Sequence, residues 1–422
     1  MRRWIVALAV LATVTGAVVA FRGCEPPCAS APFADRLPED VLFYLASPDA
    51  ADLVARLKSA PVPELEPLLK YEGRLRGPAA LVARPGSDGL EWTAILDAGP
   101  AAALAGPGTA DGWHYDTDGR RVLVAASPGT IARFRSARQA RLDVAFSSGH
   151  AIVYAVPSAF PSDAWSLWCA RWRDFARLSA SVEFVGGGLR VRALARYAPG
   201  LWRPALEHEV HAPRRAVAPP DAVLWTTQLE RFPRLWLDIR ASLSDRDRAL
   251  ADHEVEHVKA AELLPKLGPA WGVAVDRSGA LTAAVEARED PTPSVYWALK
   301  DYGGAMRKEN RAVRAESEGD NVRVNAWRAP LRFAGGRVTL GNAPAMWRDG
   351  SEYHAGTVIE VDALLRLVET GALALPCDVG RLRPLQRAAW IRRAEAWTTF
   401  TDEGAKVEGT LSFGSATGRQ AR

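Results

Sequence analysis

The clearest periodicity in the chain predicts a β-hairpin over residues 181–197 that turns at Gly186-Gly187-Gly188. In its second strand, alternate positions are apolar or aromatic: Leu189, Val191, Ala193, Ala195 and Tyr197. The positions between them include three arginines: Arg190, Arg192 and Arg196. Because successive side chains of a strand point to opposite faces, this strand has one buried and one solvated face. That arrangement favours antiparallel pairing.

Two stretches of the chain begin alike, which predicts an internal duplication. In residues 37–59 and 219–242, a proline and an aspartate precede a β-rich run, and a helical stretch follows. Each half then continues with two strands around a turn, a strand that begins at a histidine, a helix and a closing hairpin. The strands fall at 78–85, 90–98, 150–156 and 181–197, and again at 271–276, 280–288, 354–361 and 397–413. We therefore expect an α+β protein with two similar units of curved antiparallel sheet and covering helices.

The N-terminal residues predict a membrane segment ahead of these units. Residues 4–21 carry no charge and lie between Arg2-Arg3 and Arg22. As a helix they span about 27 Å, close to the hydrocarbon thickness of a bilayer. Because basic flanks stay cytoplasmic, we expect a single-pass protein of a bacterial inner membrane with its body in the periplasm or outside. The alternative is a signal peptide cleaved after Ala20, which would leave a secreted protein.

These patterns predict the following order of segments along the chain. We expect a signal-anchor or transmembrane helix at 1–22, a tether at 23–36, a first α+β unit at 37–198, a proline-rich linker at 199–220, a second α+β unit at 221–414 and a tail at 415–422.

The first unit resembles a family known from elsewhere. A signal-anchor followed by Leu-Pro-x-Asp-x-x-x-Tyr, here Leu37, Pro38, Asp40 and Tyr44, is similar to the opening of a broad group of bacterial envelope proteins of unknown function. The predicted hairpin at 118–127, which leads into a helix, adds to the likeness. The resemblance implies an exported fold and supplies no catalytic residues.

Composition narrows the range of partners. The 422-residue chain is 48% hydrophobic and 24% charged, as in ordinary globular proteins, and its net charge of +4 is too small to predict a nucleic-acid partner. Four cysteines suit an oxidising compartment. Cys24 and Cys28 either close a small loop or crosslink two chains, and Cys169 and Cys377 are either two buried thiols or one bridge.

One motif offers a catalytic hypothesis. His253-Glu-Val-Glu-His257 matches H-E-x-x-H, in which two histidines one helical turn apart bind zinc and Glu254 acts as the base. The surrounding sequence is highly charged, and a third ligand at a usual spacing is missing. We therefore expect no metal, cofactor or catalytic residue, with zinc bound by His253 and His257 as the alternative.

One aromatic stripe offers an interaction surface. Trp165, Trp168 and Trp172 recur on one face of a predicted helix, and Arg171 lies off that face. The simpler interpretation is a helix that packs onto the sheet. The alternative is an exposed surface that contacts a membrane or a ligand with an apolar chain.

Together these features favour a non-catalytic, membrane-anchored exported protein that acts as an interaction scaffold. Its expected partners are the membrane, through residues 4–21, and another envelope protein or a lipid. The alternative function is a zinc-dependent hydrolase or peptidase that uses the helix at 253–257.

Overall fold

The computed structural model describes most of two β-rich regions of the chain. The described residues are 31–59, 77–87, 89–97, 107–110, 112–118, 121–159, 175–197, 214–229, 245, 248–249, 252, 266–289, 315–318, 321–324, 331–334, 336–341, 346–372, 391–401 and 403–414. The predicted membrane segment at 4–21 lies outside them. Within the described residues, no helix combines the length and the apolar character that a membrane span requires.

The chain divides into two compact units. Unit 1 comprises Met1–Pro161, Trp172–Pro199 and Thr401–Arg422, and unit 2 comprises Ser162–Arg171 and Gly200–Phe400. Unit 1 is therefore made of three separate segments of the chain, and the last described strand belongs to it.

Unit 1 is built on an antiparallel sheet. Its strands are β1 (Leu37–Pro38), β2 (Phe43–Ser47), β3 (Ala79–Gly86), β4 (Gly89–Asp97), β5 (Gly108–Ala110), β6 (Trp113–Asp118), β7 (Arg121–Ala125), β8 (Gln139–Ala140), β9 (Ala151–Ala155), β10 (Phe175–Val185), β11 (Gly188–Tyr197) and β23 (Gly404–Phe413). The order in the sheet is β5-β6-β7-β4-β3-β2-β9-β10-β11-β23, and β1 pairs separately with β8. The described helices are α1 (Ala50–Ser59), α2 (Pro128–Ser136) and a 3₁₀ turn (Pro157–Ala159).

Unit 2 is also built on antiparallel strands. Its strands are β12 (Arg214–Ala216), β13 (Ala222–Leu229), β14 (Leu267–Asp276), β15 (Leu281–Ala287), β16 (Ala315–Glu318), β17 (Asn321–Val324), β18 (Leu331–Ala334), β19 (Arg337–Leu340), β20 (Trp347–Tyr353), β21 (Ala355–Ile359) and β22 (Ile391–Thr401). The order is β22-β21-β13-β14-β15-β19-β18-β17-β16, and β12 pairs separately with β20. Helix α3 (Val361–Glu369) follows β21.

The α+β prediction is wrong, because the described residues are mostly strand and their helices do not cover the sheets. The three α-helices have nine or ten residues each. Such a helix is about 14 Å long, whereas the sheet of unit 1 is roughly 40 Å wide at the usual strand spacing. The pattern also failed to predict the short strands β5, β6 and β16 to β18, which add strands to both units beyond what the sequence suggested.

The hairpin predicted at 181–197 is confirmed as β10 and β11, which turn at Gly186 and Gly187. Leu189, Val191 and Ala193 are buried, as the alternation predicted. The helix predicted after the first opening is also confirmed, as α1. Asp49 accepts hydrogen bonds from the backbone N–H groups of Ala51 and Asp52 and so caps the first turn of this helix.

The two units have the same pairing pattern in their central strands. In unit 1, β2 lies between β3 and β9, and in unit 2, β13 lies between β14 and β21. The registers agree as well. Tyr44 is opposite Val82 and Tyr154, and Trp225 is opposite Ala274 and Val358. These pairings define corresponding positions, such as Tyr44 and Trp225, that allow the two units to be compared residue by residue.

An ion pair fixes the start of β2 in unit 1. Both side-chain oxygens of Asp40 accept hydrogen bonds from the Arg84 guanidinium at 2.7 Å, which is the bidentate geometry. These hydrogen bonds from Arg84 hold the pKa of Asp40 below its usual value of 3.8. Asp221 occupies the corresponding position in unit 2 and has no ion pair among the described residues.

We expect Asp40→Asn to lower the free energy of unfolding at pH 7 by about 0.5–1 kcal/mol, the upper part of the range for exposed pairs. Because the native pKa lies below 3.8, the stabilisation is complete above that value and is lost as the pH falls through the lowered pKa. Chemical denaturation across the acid range measures it. Asp221→Asn is the matched control, and an equal loss in both variants would contradict the role of Arg84.

Candidate functional site

The residues predicted to bind zinc lie outside the described part of the chain. His253, Glu254 and His257 are all in this group, so the zinc site remains a prediction. Among the residues that the structure does describe, no group of three or more His, Cys, Asp or Glu side chains is placed to hold a metal ion.

The predicted aromatic surface also lies outside the described residues. This holds for Trp165, Trp168, Trp172 and Arg171, so the structure neither groups them nor separates them. The candidate site must therefore be built from other residues.

The two histidines at matching positions make the same contact in their respective units. The backbone N–H of Phe184 donates to Nδ1 of His150 at 3.1 Å, and the backbone N–H of Phe400 donates to Nδ1 of His354 at 3.1 Å. Each imidazole also lies against the ring of that phenylalanine. A ring nitrogen that accepts this bond is unprotonated, so the neutral imidazole carries its proton on Nε2. This contact holds the register of two adjacent strands.

Unit 2 contains a cluster of large side chains that has no counterpart among the described residues of unit 1. We call Trp225, Met346, Trp347 and Trp397 the tryptophan cluster, because they pack together in the core of the unit. The ring centroids of Trp225 and Trp397 are 5.6 Å apart, within the usual range for aromatic pairs. Trp225 is fully buried and is among the largest side chains with no exposed surface.

Two glycines in the strands make room for this cluster. A Cβ atom on Gly356 would lie 2.8 Å from the Trp397 ring and 2.9 Å from the Trp225 ring, closer than real Cβ contacts allow. A Cβ atom on Gly272 would overlap the sulphur of Met346. Glycine within a strand often marks such a close approach. The backbone of unit 2 therefore forms part of the surface on which the large side chains lie.

Unit 1 fills the corresponding positions differently. Ile152 is opposite Ser181 in β9 and β10, and at the corresponding place Gly356 is opposite Trp397 in β21 and β22. In unit 1 the larger side chain of the pair is on β9, whereas in unit 2 it is on β22 and the strand that corresponds to β9 has the glycine. Tyr44 stands where unit 2 has Trp225, and its hydroxyl donates to the carbonyl oxygen of Pro32 at 2.5 Å. Burial raises the pKa of Tyr44 far above its ordinary value, so this hydroxyl remains a donor.

Three indole N–H groups of unit 2 are buried without an acceptor. They belong to Trp225, Trp271 and Trp347, and none has a hydrogen-bond partner among the described residues. Trp271 is 9% exposed and Trp347 is 8% exposed. A buried donor without an acceptor costs roughly 1–3 kcal/mol. Such groups need an explanation in a native structure, and a ligand that supplies an acceptor is one.

A small pocket of about 20 Å³, with room for one or two water molecules, lies beside two of these indoles. Its lining residues come from β14, β15 and β19 and from the start of β20: Ala270, Trp271, Gly272, Ala284, Glu286, Arg337, Met346 and Trp347. The wall is therefore apolar and aromatic, with one acidic and one basic side chain. At this volume the pocket is far smaller than the cavities that hold small molecules in proteins.

The charges at this pocket do not cancel. Glu286 and Arg337 are opposite each other in β15 and β19. The carboxylate of Glu286 pairs with Arg214, whose Nη1 lies 2.5 Å from Oε1. Arg337 has no ion pair or side-chain hydrogen bond among the described residues. The guanidinium of Arg337 is therefore an available donor beside an apolar wall.

Sequence reasoning missed this site because its members are far apart along the chain. Trp271, Glu286 and Arg337 come together only through the pairing of β14 with β15 and of β15 with β19. A usable signal was present in the isolated glycines Gly272 and Gly356, each within a strand-like run.

Comparisons with known proteins supply no family. No family model matches the chain, and no curated protein matches it. A solved structure of the protein TP0453, in its crystal form I, resembles part of the chain with a TM-score of 0.23 and 8% identity. The likeness covers 40% of this chain and 79% of that one. At this TM-score it carries no argument about fold or function.

We expect Gly356→Ala to destabilise unit 2 by about 1–3 kcal/mol, the usual effect of overpacking, because its methyl group would collide with both indoles. Denaturant unfolding followed by tryptophan fluorescence measures this loss. Gly129→Ala in α2 is the matched control, since its Cβ would meet nothing closer than 3.4 Å. Alanine there should leave stability unchanged or raise it by up to about 1 kcal/mol. Equal effects at the two sites would contradict the close packing around Gly356.

Proposed function

We propose that this chain is an exported, membrane-anchored protein that binds a partner and catalyses no reaction. The membrane part of the proposal rests on residues 4–21, whose uncharged run and basic flanks match a single span with the body in the periplasm or outside. The partner is another envelope protein or a lipid. The structure-based support concerns the binding role.

The observation that carries the binding role is the contrast between the two units. Their central strands pair in the same pattern, yet among the described residues unit 2 alone has the tryptophan cluster. In unit 2, the buried indole donors of Trp225, Trp271 and Trp347 lack acceptors in the described part of the chain. Tyr44, which corresponds to Trp225, finds an acceptor, although Trp92 of unit 1 also has a buried indole N–H without one among the described residues. A partner that brings acceptors to unit 2 would satisfy its larger set of buried indole donors.

We further propose that the two units arose by duplication of one ancestral unit. The matching registers of β2 and β13 support this, as do the identical contacts of His150 and His354. After the duplication, unit 1 would have kept a core that serves packing alone, and the core of unit 2 would have acquired a binding site. Unit 1 then serves as the framework and unit 2 as the binding unit.

We expect the full-length protein to stay with the membrane fraction after an alkaline wash, because the apolar run at 4–21 inserts in the bilayer. Removing residues 4–21 should release it into the soluble fraction. In spheroplasts, protease added from outside should digest the body of the protein. Recovery of the full-length protein in the soluble fraction with its N-terminus intact would contradict the anchor.

The binding role has its own test. A tagged full-length protein is crosslinked in membranes, and the recovered lipids and proteins are compared between wild type and Trp347→Phe. This variant keeps an aromatic ring and loses the indole N–H. We expect a partner whose yield falls in Trp347→Phe and stays constant in Trp113→Phe, a change at an exposed tryptophan of unit 1. A partner profile that is the same in all three proteins would contradict a role for unit 2.

A further inference from the structure

We propose that the edge of β11 is a strand-binding surface that descends from a homodimer interface, and that Arg192 and Glu408 now commit this surface to β23 of the same chain. The inference rests on the proposed duplication and adds the partner that the edge fits, which is a second copy of the same strand. Along the chain, β23 closes the second of the duplicated halves. In the structure it lies in unit 1, where it pairs with β11.

The histidine contacts identify β11 and β23 as corresponding strands. Phe184 and Phe400 occupy the same position, because the backbone N–H of each donates to the histidine of its own half. After each phenylalanine, a turn of equal length leads into the next strand, which begins at Gly188 after β10 and at Gly404 after β22. Gly188 therefore corresponds to Gly404, and the residues that follow correspond one by one.

The pairing of β11 with β23 has the register of a symmetric dimer. The strands are antiparallel, and Arg192 is directly opposite Glu408, which is its own counterpart. This is the condition for a twofold axis between two equivalent antiparallel strands, and such an axis defines the commonest homodimers. A slip of one residue would put counterpart side chains on opposite faces of the sheet and remove the twofold relation. Arg192 is also the middle residue of the paired stretch from Gly188 to Arg196, so the axis lies at its centre.

The two ends of the pairing make the same close contact. Gly188 lies against the backbone of Leu411, where a Cβ atom would overlap the carbonyl oxygen. Gly404, the counterpart of Gly188, lies in the same way against the carbonyl oxygen of Ala195, the counterpart of Leu411. Such reciprocal contacts are typical of a twofold interface. Duplication alone does not require two corresponding strands to pair with each other, whereas the fusion of a homodimer into one chain explains the pairing.

Main-chain and apolar contacts hold β23 on this edge. A strand that adds to a sheet edge is held by main-chain hydrogen bonds, and its side chains determine which strand is accepted. On the apolar face, Leu189 is opposite Leu411 and Ala195 is opposite Ala405, and all four are buried. These pairs lie on both sides of the central position. They suit either strand, so the choice between β11 and β23 as partner depends on the polar face.

The charges at the centre favour β23 as the partner. In a homodimer, a residue on the twofold axis faces its own copy and so never faces an opposite charge. Two β11 strands in this register would place Arg192 opposite Arg192, and like charges directly opposite destabilise a strand pair. In this chain Arg192 is opposite Glu408, and its guanidinium also pairs with Glu183 at 2.6 Å. Fusion of the two copies allowed the two central residues to differ in charge, which favours pairing within the chain.

The first experiment is a double-mutant cycle in the full-length protein, which compares Arg192→Glu, Glu408→Arg and the double variant. Each single reversal places like charges opposite each other, so we expect a lower unfolding midpoint, and the double variant should recover part of the loss. Arg190→Glu is the matched control, because Arg190 also pairs with Glu183 but is opposite Thr410. The effects of Arg190→Glu and Glu408→Arg should simply add.

The second experiment tests whether the edge of β11 accepts a strand of its own sequence. The full-length protein, with a protease site introduced in the turn between β22 and β23, is folded and then cut, so that β23 can exchange with a labelled peptide. A peptide of residues 404–413 and a peptide of residues 188–197 with Arg192→Glu are compared by fluorescence anisotropy. We expect both to bind, with dissociation constants within about tenfold of each other. The unchanged peptide of residues 188–197 should bind several-fold more weakly, because two arginines would face each other.

A peptide with residues 188–197 in reverse order is the control and should not bind. Three results would overturn the proposal: additive effects of the two charge reversals, equal binding of the reversed peptide, or failure of the peptide with Arg192→Glu to bind the cut protein. None of them would change the membrane anchoring or the yield of a crosslinked partner. Failure of this inference is therefore distinguishable from failure of the proposed function.

Discussion

The core of unit 2 depends on the close approach of indole rings to a strand backbone at Gly356. Trp225 and Trp397 both lie within 3 Å of the place where a Cβ atom would stand. Protein cores are packed nearly as densely as organic crystals, so bulk that is added at one position must be removed at another. Gly356 removes that bulk, and Gly272 does the same beneath Met346. The tryptophan cluster and the pocket beside it are therefore possible only because two strand positions have no side chain.

A shared backbone framework allows the two units to differ in chemistry. The ladders of β2 with β9 and of β13 with β21 depend on main-chain groups, which every residue except proline supplies. His150 and His354 add a side-chain acceptor for a backbone N–H at the same place in each ladder. Because the register is fixed in this way, a large and a small side chain on the buried face can swap places between two paired strands without changing the backbone. Ile152 with Ser181 and Gly356 with Trp397 are two solutions to the same packing problem.

The sequence predicted local features well where a strand was long enough to show the alternation of polar and apolar residues on its two faces. The hairpin of β10 and β11 has eleven and ten residues, long enough for arginines and aliphatic side chains to alternate clearly. Strands β16 to β19 have four residues each, too few for a period of two to stand out from chance. This is why the expected class contained too much helix. The site was beyond prediction for another reason: Glu286 and Arg337 are neighbours only through a pairing between strands that are about fifty residues apart in sequence.

The buried indole donors connect the stability of unit 2 with its proposed role. A core selected for stability alone would give Trp225, Trp271 and Trp347 acceptors or replace them by phenylalanine, because each unsatisfied donor costs roughly 1–3 kcal/mol. A ligand that supplies acceptors recovers part of this cost on binding, and that gain adds to its affinity for the folded state. The same groups that weaken the free unit therefore strengthen the complex. Tyr44 in unit 1, whose hydroxyl is satisfied by Pro32, offers a ligand no comparable gain. Trp92 of unit 1 also has a buried indole N–H without an acceptor among the described residues, so the proposed role of unit 2 rests on the larger number of such indoles there.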